Sequence, residues 1–317
     1  MEPLLKVANL TKIYHKGKGA EVVAIQDVCF SISEKEIVGL LGPNGAGKTT
    51  TIKCISGLIR QEAGKVLVNG YDIEEEQEKV QENIGIVLEG NRNVYWRLTP
   101  KENMEFFLEL HGKLAGSSSE KIGELLRRFD LEQKKNTSVR ELSRGMKQKV
   151  AICSALIKEP KLLVLDEPTL GLDVETSKEL QKALIGIAEK EERAVLLSSH
   201  QMEVVQNISE RTIILDEGEI VLDRKVEDLL EEFEAMGYLL EFDKQVSDKT
   251  KAGLKEKFEV LELHSEDTPS ARVALREPGQ IYRLMEFLQS QEVKITSIET
   301  EGKNLEEVFL KTIKSNE

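Results

Sequence analysis

A chain of 317 residues is long enough to bury a large core, and two domains are expected rather than one. Its 44 basic and 57 acidic residues leave a net charge of −13, which argues against a nucleic-acid groove lined by clustered Lys and Arg. No apolar run approaches the ~20 residues of a membrane helix, and the opening MEPLLKVANL lacks a basic segment followed by a sustained apolar stretch. A soluble polypeptide without a secretory signal is therefore expected, with any membrane role coming through a partner. Cys29, Cys54 and Cys153 stand apart among apolar neighbours. They match no metal-ligand or CxxC spacing, so structural burial in a reducing compartment is expected.

Residues 4–35 alternate around turn material, His15 to Gly19, and predict a small antiparallel sheet edge. Tyr14 precedes the turn. Its ring has two readings, a stacking surface for a base or a half-buried strand tyrosine. Next, Ile37 to Leu41 reads as a buried strand that stops at Gly42-Pro43-Asn44-Gly45-Ala46-Gly47-Lys48-Thr49, followed by Thr50 and a helix-permissive stretch. Strand, glycine loop and helix together make a phosphate-binding loop. The glycines let backbone N–H groups converge, and the helix start adds N–H groups without internal partners. Lys48 supplies a cation for the β and γ phosphates, and the Thr49 hydroxyl is placed for Mg²⁺.

Strand character resumes at Lys65 to Val68, a charged helix is expected over 74–82, and Ile84 to Leu88 is a short buried strand ending at Glu89. The following loop, through Pro100, holds Tyr95 and the single tryptophan, Trp96. Such side chains serve either as interface anchors or as internal packing. A helical insertion between strands is predicted over about 100–159. Its parts are Phe106, Phe107 and Leu110 on one helix, a break at Gly116 to Ser119, and Ile122, Leu125 and Leu126 on the next. Leu142-Ser143-Arg144-Gly145-Met146 opens a third helix. Ser143 reads as an N-cap, and Gly145 permits a phosphate to approach the first turn, although most Ser-x-Gly sequences before helices only cap them.

Leu162 to Leu165 is an apolar strand ending in Asp166-Glu167-Pro168. Carboxylates at the carboxyl end of a parallel strand sit where open α/β sheets bind ligands, one able to hold a metal and the next to deprotonate a water. Thr169 to Asp173 opens another helix, and Ala194 to Ser199 is a strand ending at His200, which reads as structural or as a group reaching the γ phosphate. Thr212 to Leu215 and Glu219 to Leu222 form a hairpin. The expected boundaries are 1–223 for an α/β P-loop NTPase core with antiparallel β edge and helical insertion, and 224–317 for a small α+β module. The second part begins with a charged helix over 224–236. Its strands are expected near Leu239 to Phe242, Val260 to Leu263, Val273 to Leu275 and Val293 to Ile298. Helices are expected around Ile281 to Leu288 and around Leu305 to Phe309, the latter capped by Asn304 with Glu307.

Five stretches in fixed order, GPNGAGKT, LSRGM, LLVLDEP, GLD and a strand-ending SSH, resemble the nucleotide-binding subunit of an ATP-binding cassette (ABC) transporter over residues 4 to about 223. LSRGMKQ and the carboxyl-terminal extension are further similar to bacterial drug, antibiotic or lipid exporters whose permease is a separate chain. The resemblance implies that Gly42 to Thr49 bind ATP and Mg²⁺, Tyr14 stacks on adenine, Asp166 holds magnesium and Glu167 is the general base. It also places Asp173 in a dimer-communication loop and His200 at the γ phosphate, with Ser143 and Gly145 acting on nucleotide held by a second subunit. One P-loop and one LSRGM then require two subunits head to tail, docked on a permease at the cytoplasmic face. The family usually has Gln where this chain has Glu89; a carboxylate there still ligates Mg²⁺ but adds negative charge. A non-transport ABC ATPase acting on a soluble macromolecular complex is the alternative, usually marked by paired cassettes or long basic inserts, and no Asn-Lys-x-Asp element for guanine is present.

Overall fold

Apolar runs that do not alternate need cover on both faces, and in this protein they receive it. The computed structural model describes residues 2–16, 20–90, 94–112, 119–232, 236–264, 269–275 and 279–301. The chain divides into two units that part after Val226.

In the first unit, β1 (Leu5–Lys16) and β2 (Ala20–Ile32) pair antiparallel, and β1 also pairs with β4 (Ala63–Val68), which is followed by the short β5 (Tyr71–Asp72). This is the expected antiparallel edge. Between its strands the chain enters β3 (Ile37–Leu41), buried at every position, and the helix α1 (Lys48–Ile55). The charged helix lies over α2 (Gln77–Asn83), three residues later than expected at its start, and leads into β6 (Ile84–Val87).

The helical insertion holds α3 (Pro100–Leu110), α4 (Ser119–Arg128) and α5 (Arg144–Leu156). Thr99 and Glu102 close a reciprocal capping box at the start of α3. Of the break expected at Gly116 to Ser119, residues 116–118 lie outside the described residues and Ser119 is already the first residue of α4. The core then resumes with β7 (Leu162–Asp166), α6 (Val174–Glu191), β8 (Ala194–Ser199), α7 (Met202–Ile208), β9 (Arg211–Asp216) and β10 (Glu219–Lys225). These strands form a six-stranded sheet in the order β10-β9-β3-β8-β7-β6, parallel except for β10 at one edge. Leu5, Val38, Leu40, Ile52, Ile84, Val164 and Leu196 all join one core that links the two sheets.

The turn between β9 and β10 is Glu217-Gly218, both at positive φ (47° and 89°), the mirror-image turn that suits a two-residue hairpin. Strand β10 continues through Lys225, and α8 (Val226–Glu232) follows.

The second unit runs β11 (Met236–Phe242), α9 (Asp248–Lys257), β12 (Glu259–His264), β13 (Ser270–Leu275), α10 (Gln280–Ser290) and β14 (Ile295–Glu301). The four strands form an antiparallel sheet in the order β12-β13-β11-β14. That is the split βαβ topology of ferredoxin-like folds. Leu240, Phe242, Leu254, Val273, Leu284 and Leu288 fill its own core. Helices α7 and α9 were not among the sequence expectations. The helix expected around Leu305 to Phe309, with its Asn304 cap, lies outside the described residues.

Candidate functional site

Four neighbouring parallel strands end in register. Leu41 pairs with Ser199, Asp166 with Ser198 and Val87 with Leu165, so the residues that follow β3, β8, β7 and β6 emerge at one edge of the sheet. The glycine loop, His200, Glu167 and Glu89 therefore meet at a carboxyl-end crevice. A cavity of about 390 Å³ opens there, lined by Ala24, Asn44, Gly45, Gly47, Lys48, Thr49, Thr50, Glu89, Glu167, Leu170 and His200.

The glycine loop is shaped by close approach. Gly47 has φ 105°, and a Cβ there would stand 2.7 Å from the carbonyl oxygen of Ala24. Gly45, at φ 90°, faces open space. Across the loop the Gly218 N–H donates to the Ala46 carbonyl at 3.2 Å, and the Gln26 N–H donates to the Gly218 carbonyl at 2.9 Å. The hairpin turn and β2 thus hold the loop from two sides. Gly218 has no place among the sequence-derived site residues, because a turn glycine looks the same whether or not it braces a neighbour.

Lys48 is 7 % exposed. Its ammonium donates to the carbonyls of Gly42 (2.6 Å) and Pro43 (3.0 Å). Burial lowers its pKa, and the negative charges of Glu167 and Asp166 oppose that shift. The Thr49 hydroxyl donates to the Asp166 carboxylate at 3.1 and 3.2 Å. Ser198 adds a hydroxyl that donates to Asp166 Oδ1 at 2.7 Å and accepts from the Glu167 N–H at 3.0 Å. Sequence reasoning gave Ser198 no role of its own; it stood only as the first residue of the strand-ending SSH. Glu167 itself has φ 49°, a left-handed conformation that a non-glycine residue adopts only under constraint. Its Oε2 lies 2.9 Å from His200 Nδ1.

Hydroxyl and carboxylate oxygens are the donors Mg²⁺ takes, and Thr49 with Asp166 presents both. Among the described residues no three His, Cys, Asp or Glu side chains gather into a metal-holding cluster.

Tyr14, Ser143 and Gly145 are not walls of this cavity. Tyr14 is 38 % exposed on β1, with the Lys12 ammonium 5.4 Å from its ring centre. Ser143 caps α5 by accepting from the Met146 N–H at 3.2 Å, and Gly145 is buried in the first turn.

A phosphate cradle, an acid pair and a histidine delivered together by parallel strands define a P-loop nucleoside triphosphatase. The model of the ABC transporter family matches residues 25–170. The ABC transporter ATP-binding protein NatA of Bacillus subtilis is 38 % identical over 210 residues, covering 66 % of this chain and 85 % of that protein. The linearmycin resistance ATP-binding protein LnrL of the same organism is 34 % identical, covering 69 % and 68 %. The methionine import ATP-binding protein MetN 2 of Bacillus licheniformis is 33 % identical, covering 69 % and 64 %. Among solved structures, the dimeric post-hydrolysis state of the ATP-binding cassette MJ0796 bound to ADP and Pi superposes with a TM-score of 0.64 at 29 % identity, covering 70 % of this chain and 98 % of that one. The chain belongs to the ATP-binding subunits of ABC transporters and is an ATPase.

Proposed function

We propose that this subunit powers export through a separate membrane permease, closing on ATP with a second cassette and opening after hydrolysis. The observation that carries the reading is an incomplete site. Lys48, Thr49, Glu167 and His200 line the cavity, with Asp166 buried behind Thr49, whereas Ser143 and Gly145 form no part of its wall. A second subunit turned head to tail would bring its own serine–glycine tip to that mouth. The MJ0796 cassette, which is dimeric, supports this arrangement.

In the proposed chemistry Gly42 to Thr50 seat the phosphates, Lys48 turns from its loop carbonyls toward the β and γ phosphates, and Tyr14 stacks on the adenine. Glu167 takes a proton from the attacking water, and His200, in contact with the Glu167 carboxylate, holds that carboxylate in place. Thr49 and Asp166 would hold Mg²⁺, which when bound neutralises charge on the phosphates; Glu89 lies within the same cavity and is a third oxygen donor for it. Loss of the γ phosphate removes the bridge between subunits, and the pair reopens.

The path across the bilayer is assigned to the permease, and the subunit to its cytoplasmic face. Among the described residues no helix is long and apolar enough to cross a membrane. Tyr95 and Trp96, each 51 % exposed beside α3, are the proposed docking anchors. The direction rests on LSRGMKQ, on the carboxyl-terminal unit and on the likeness to a resistance protein, against the likeness to an import protein.

The test is the Glu167→Gln variant. We expect ATP still to bind while steady-state hydrolysis falls at least ~100-fold, the usual worth of a general base. Hydrolysis at the wild-type rate would reject the assignment. Replacing Tyr95 and Trp96 by Ala is expected to spare basal hydrolysis and abolish its stimulation by the permease; normal transport by that variant would remove the docking site.

A further inference from the structure

Two glycines at the ends of neighbouring segments face side chains rather than space. A Cβ on Gly145, in the first turn of α5, would stand 2.5 Å from the Cγ2 methyl of Thr176 on α6. A Cβ on Gly171, at φ 68°, would collide with the guanidinium of Arg144. One turn further along both helices, Lys149 Nζ pairs with Glu179 Oε2 at 2.8 Å, with Lys149 largely shielded. The start of α5 and the segment from Gly171 into α6 thus meet at three successive points.

Thr176 has no freedom to turn away. Its N–H donates to Asp173 Oδ1 at 2.9 Å and its hydroxyl to Asp173 Oδ2 at 2.8 Å, which fixes the third substituent, the methyl, over Gly145. These two bonds hold the Asp173 carboxyl below its usual range. Gly171 lies in the loop that leaves Glu167, and that loop is itself folded by N–H donation from Leu170 to the Glu167 carbonyl (3.2 Å) and from Leu172 to that of Thr169 (3.1 Å). The Arg144 guanidinium lies against the backbone of Gly171, where it fills the space a side chain would need.

We propose that Arg144 and Thr176 are positioning residues that lock the Ser143–Gly145 tip to the segment carrying Glu167, so that a displacement at a subunit's own hydrolytic carboxylate moves the tip it lends to the opposite nucleotide. The proposal rests on the paired-site reading above. Neither side chain touches nucleotide in this role; both act through the backbone of Gly145 and Gly171. A packed contact transmits displacement only if both partners are held, and here Asp173 holds one and the α5 cap holds the other.

The test uses the full chain in the Glu167→Gln background and follows dimer formation against magnesium ATP by light scattering. Thr176→Ser keeps both bonds to Asp173 and removes only the methyl over Gly145; Thr176→Val keeps that methyl; Arg144→Ala frees Gly171. The ATP concentration for half-maximal dimer is expected to rise about tenfold for Thr176→Ser and for Arg144→Ala, and to stay within about threefold for Thr176→Val. Affinity for a fluorescent ADP analogue and the melting temperature are expected to stay unchanged in all three. If Glu167→Gln dimerises and Thr176→Ser and Arg144→Ala dimerise at the same ATP concentration as it does, the lock is refuted and the paired site stands. If ADP affinity or melting temperature falls along with dimerisation, the contact is ordinary packing and the lock is likewise refuted. If Glu167→Gln itself stays monomeric, the paired-site reading fails and takes the lock with it.

Discussion

Lys48 lies in a place that withdraws water from its ammonium group. Burial lowers its pKa, Glu167 and Asp166 raise it, and two loop carbonyls occupy its ammonium. A triphosphate must compete with those carbonyls, which it does by offering full negative charge; hydrogen bonds to charged groups contribute about 1.5–3 kcal/mol. Lys48→Ala is therefore expected to weaken ATP binding by one to two orders of magnitude in a calorimetric titration, and wild-type affinity would count against the cradle. The cysteines give a second check. Burial pushes the Cys54 thiol up to about 11 and raises Cys153 as well, so at pH 8 neither holds an appreciable thiolate fraction. Cys29 is exposed. Alkylation of the native protein at pH 8 is expected to label Cys29 alone, as read by mass spectrometry, with Cys54 and Cys153 labelled only after unfolding. Lys48, Thr49, Asp166 and Glu167 were legible in the sequence because each stands at a fixed offset from a glycine loop or a strand end. Ser198 was not, because its meaning lies in Asp166 and Glu167, which are distant along the chain and adjacent only across the sheet.

At the scale of elements, strand β8 does most to assemble the site. It lies between β3 and β7, and its register with both brings His200 and Ser198 to the carboxylates. The apolar runs announced these strands, but hydrophobicity along a chain carries no record of which strands become neighbours. Helices α7 and α9 escaped for a different reason. The first has seven residues, and the second has only Leu254 and Thr250 buried, so neither shows a sustained apolar period. The β9–β10 turn offers an element-scale prediction. Gly218 sits at φ 89°, and a Cβ there would stand 2.9 Å from the Ala24 carbonyl oxygen and 3.1 Å from Ile25 Cα. Gly218→Ala must distort the turn or move β2 away from the P-loop, at a cost of about 1–3 kcal/mol. Urea unfolding should show that loss, with ATP affinity falling in parallel. An unchanged affinity would mean that the turn does not brace the cradle.

At the scale of the molecule, the two units have separate cores, one built on the sheets around β3 and the other on the ferredoxin-like sheet. Leu284 is fully buried in the second, and Leu284→Ala is expected to destabilise that unit by about 2–5 kcal/mol. Hydrogen exchange should rise across residues 236–301 while ATP affinity in the first unit stays the same. The order of elements in the first unit was readable from motifs that chemistry holds in place. In the second unit the strands were readable but the split βαβ topology was not, since no motif there ties one segment to another. A paired site requires that a single copy hold a cradle without the tip that completes it. The most direct measurement is the mass of the Glu167→Gln protein in solution by light scattering, with and without saturating magnesium ATP. A monomer that becomes a dimer when ATP is added is expected; a protein that stays monomeric under saturation would contradict the paired site.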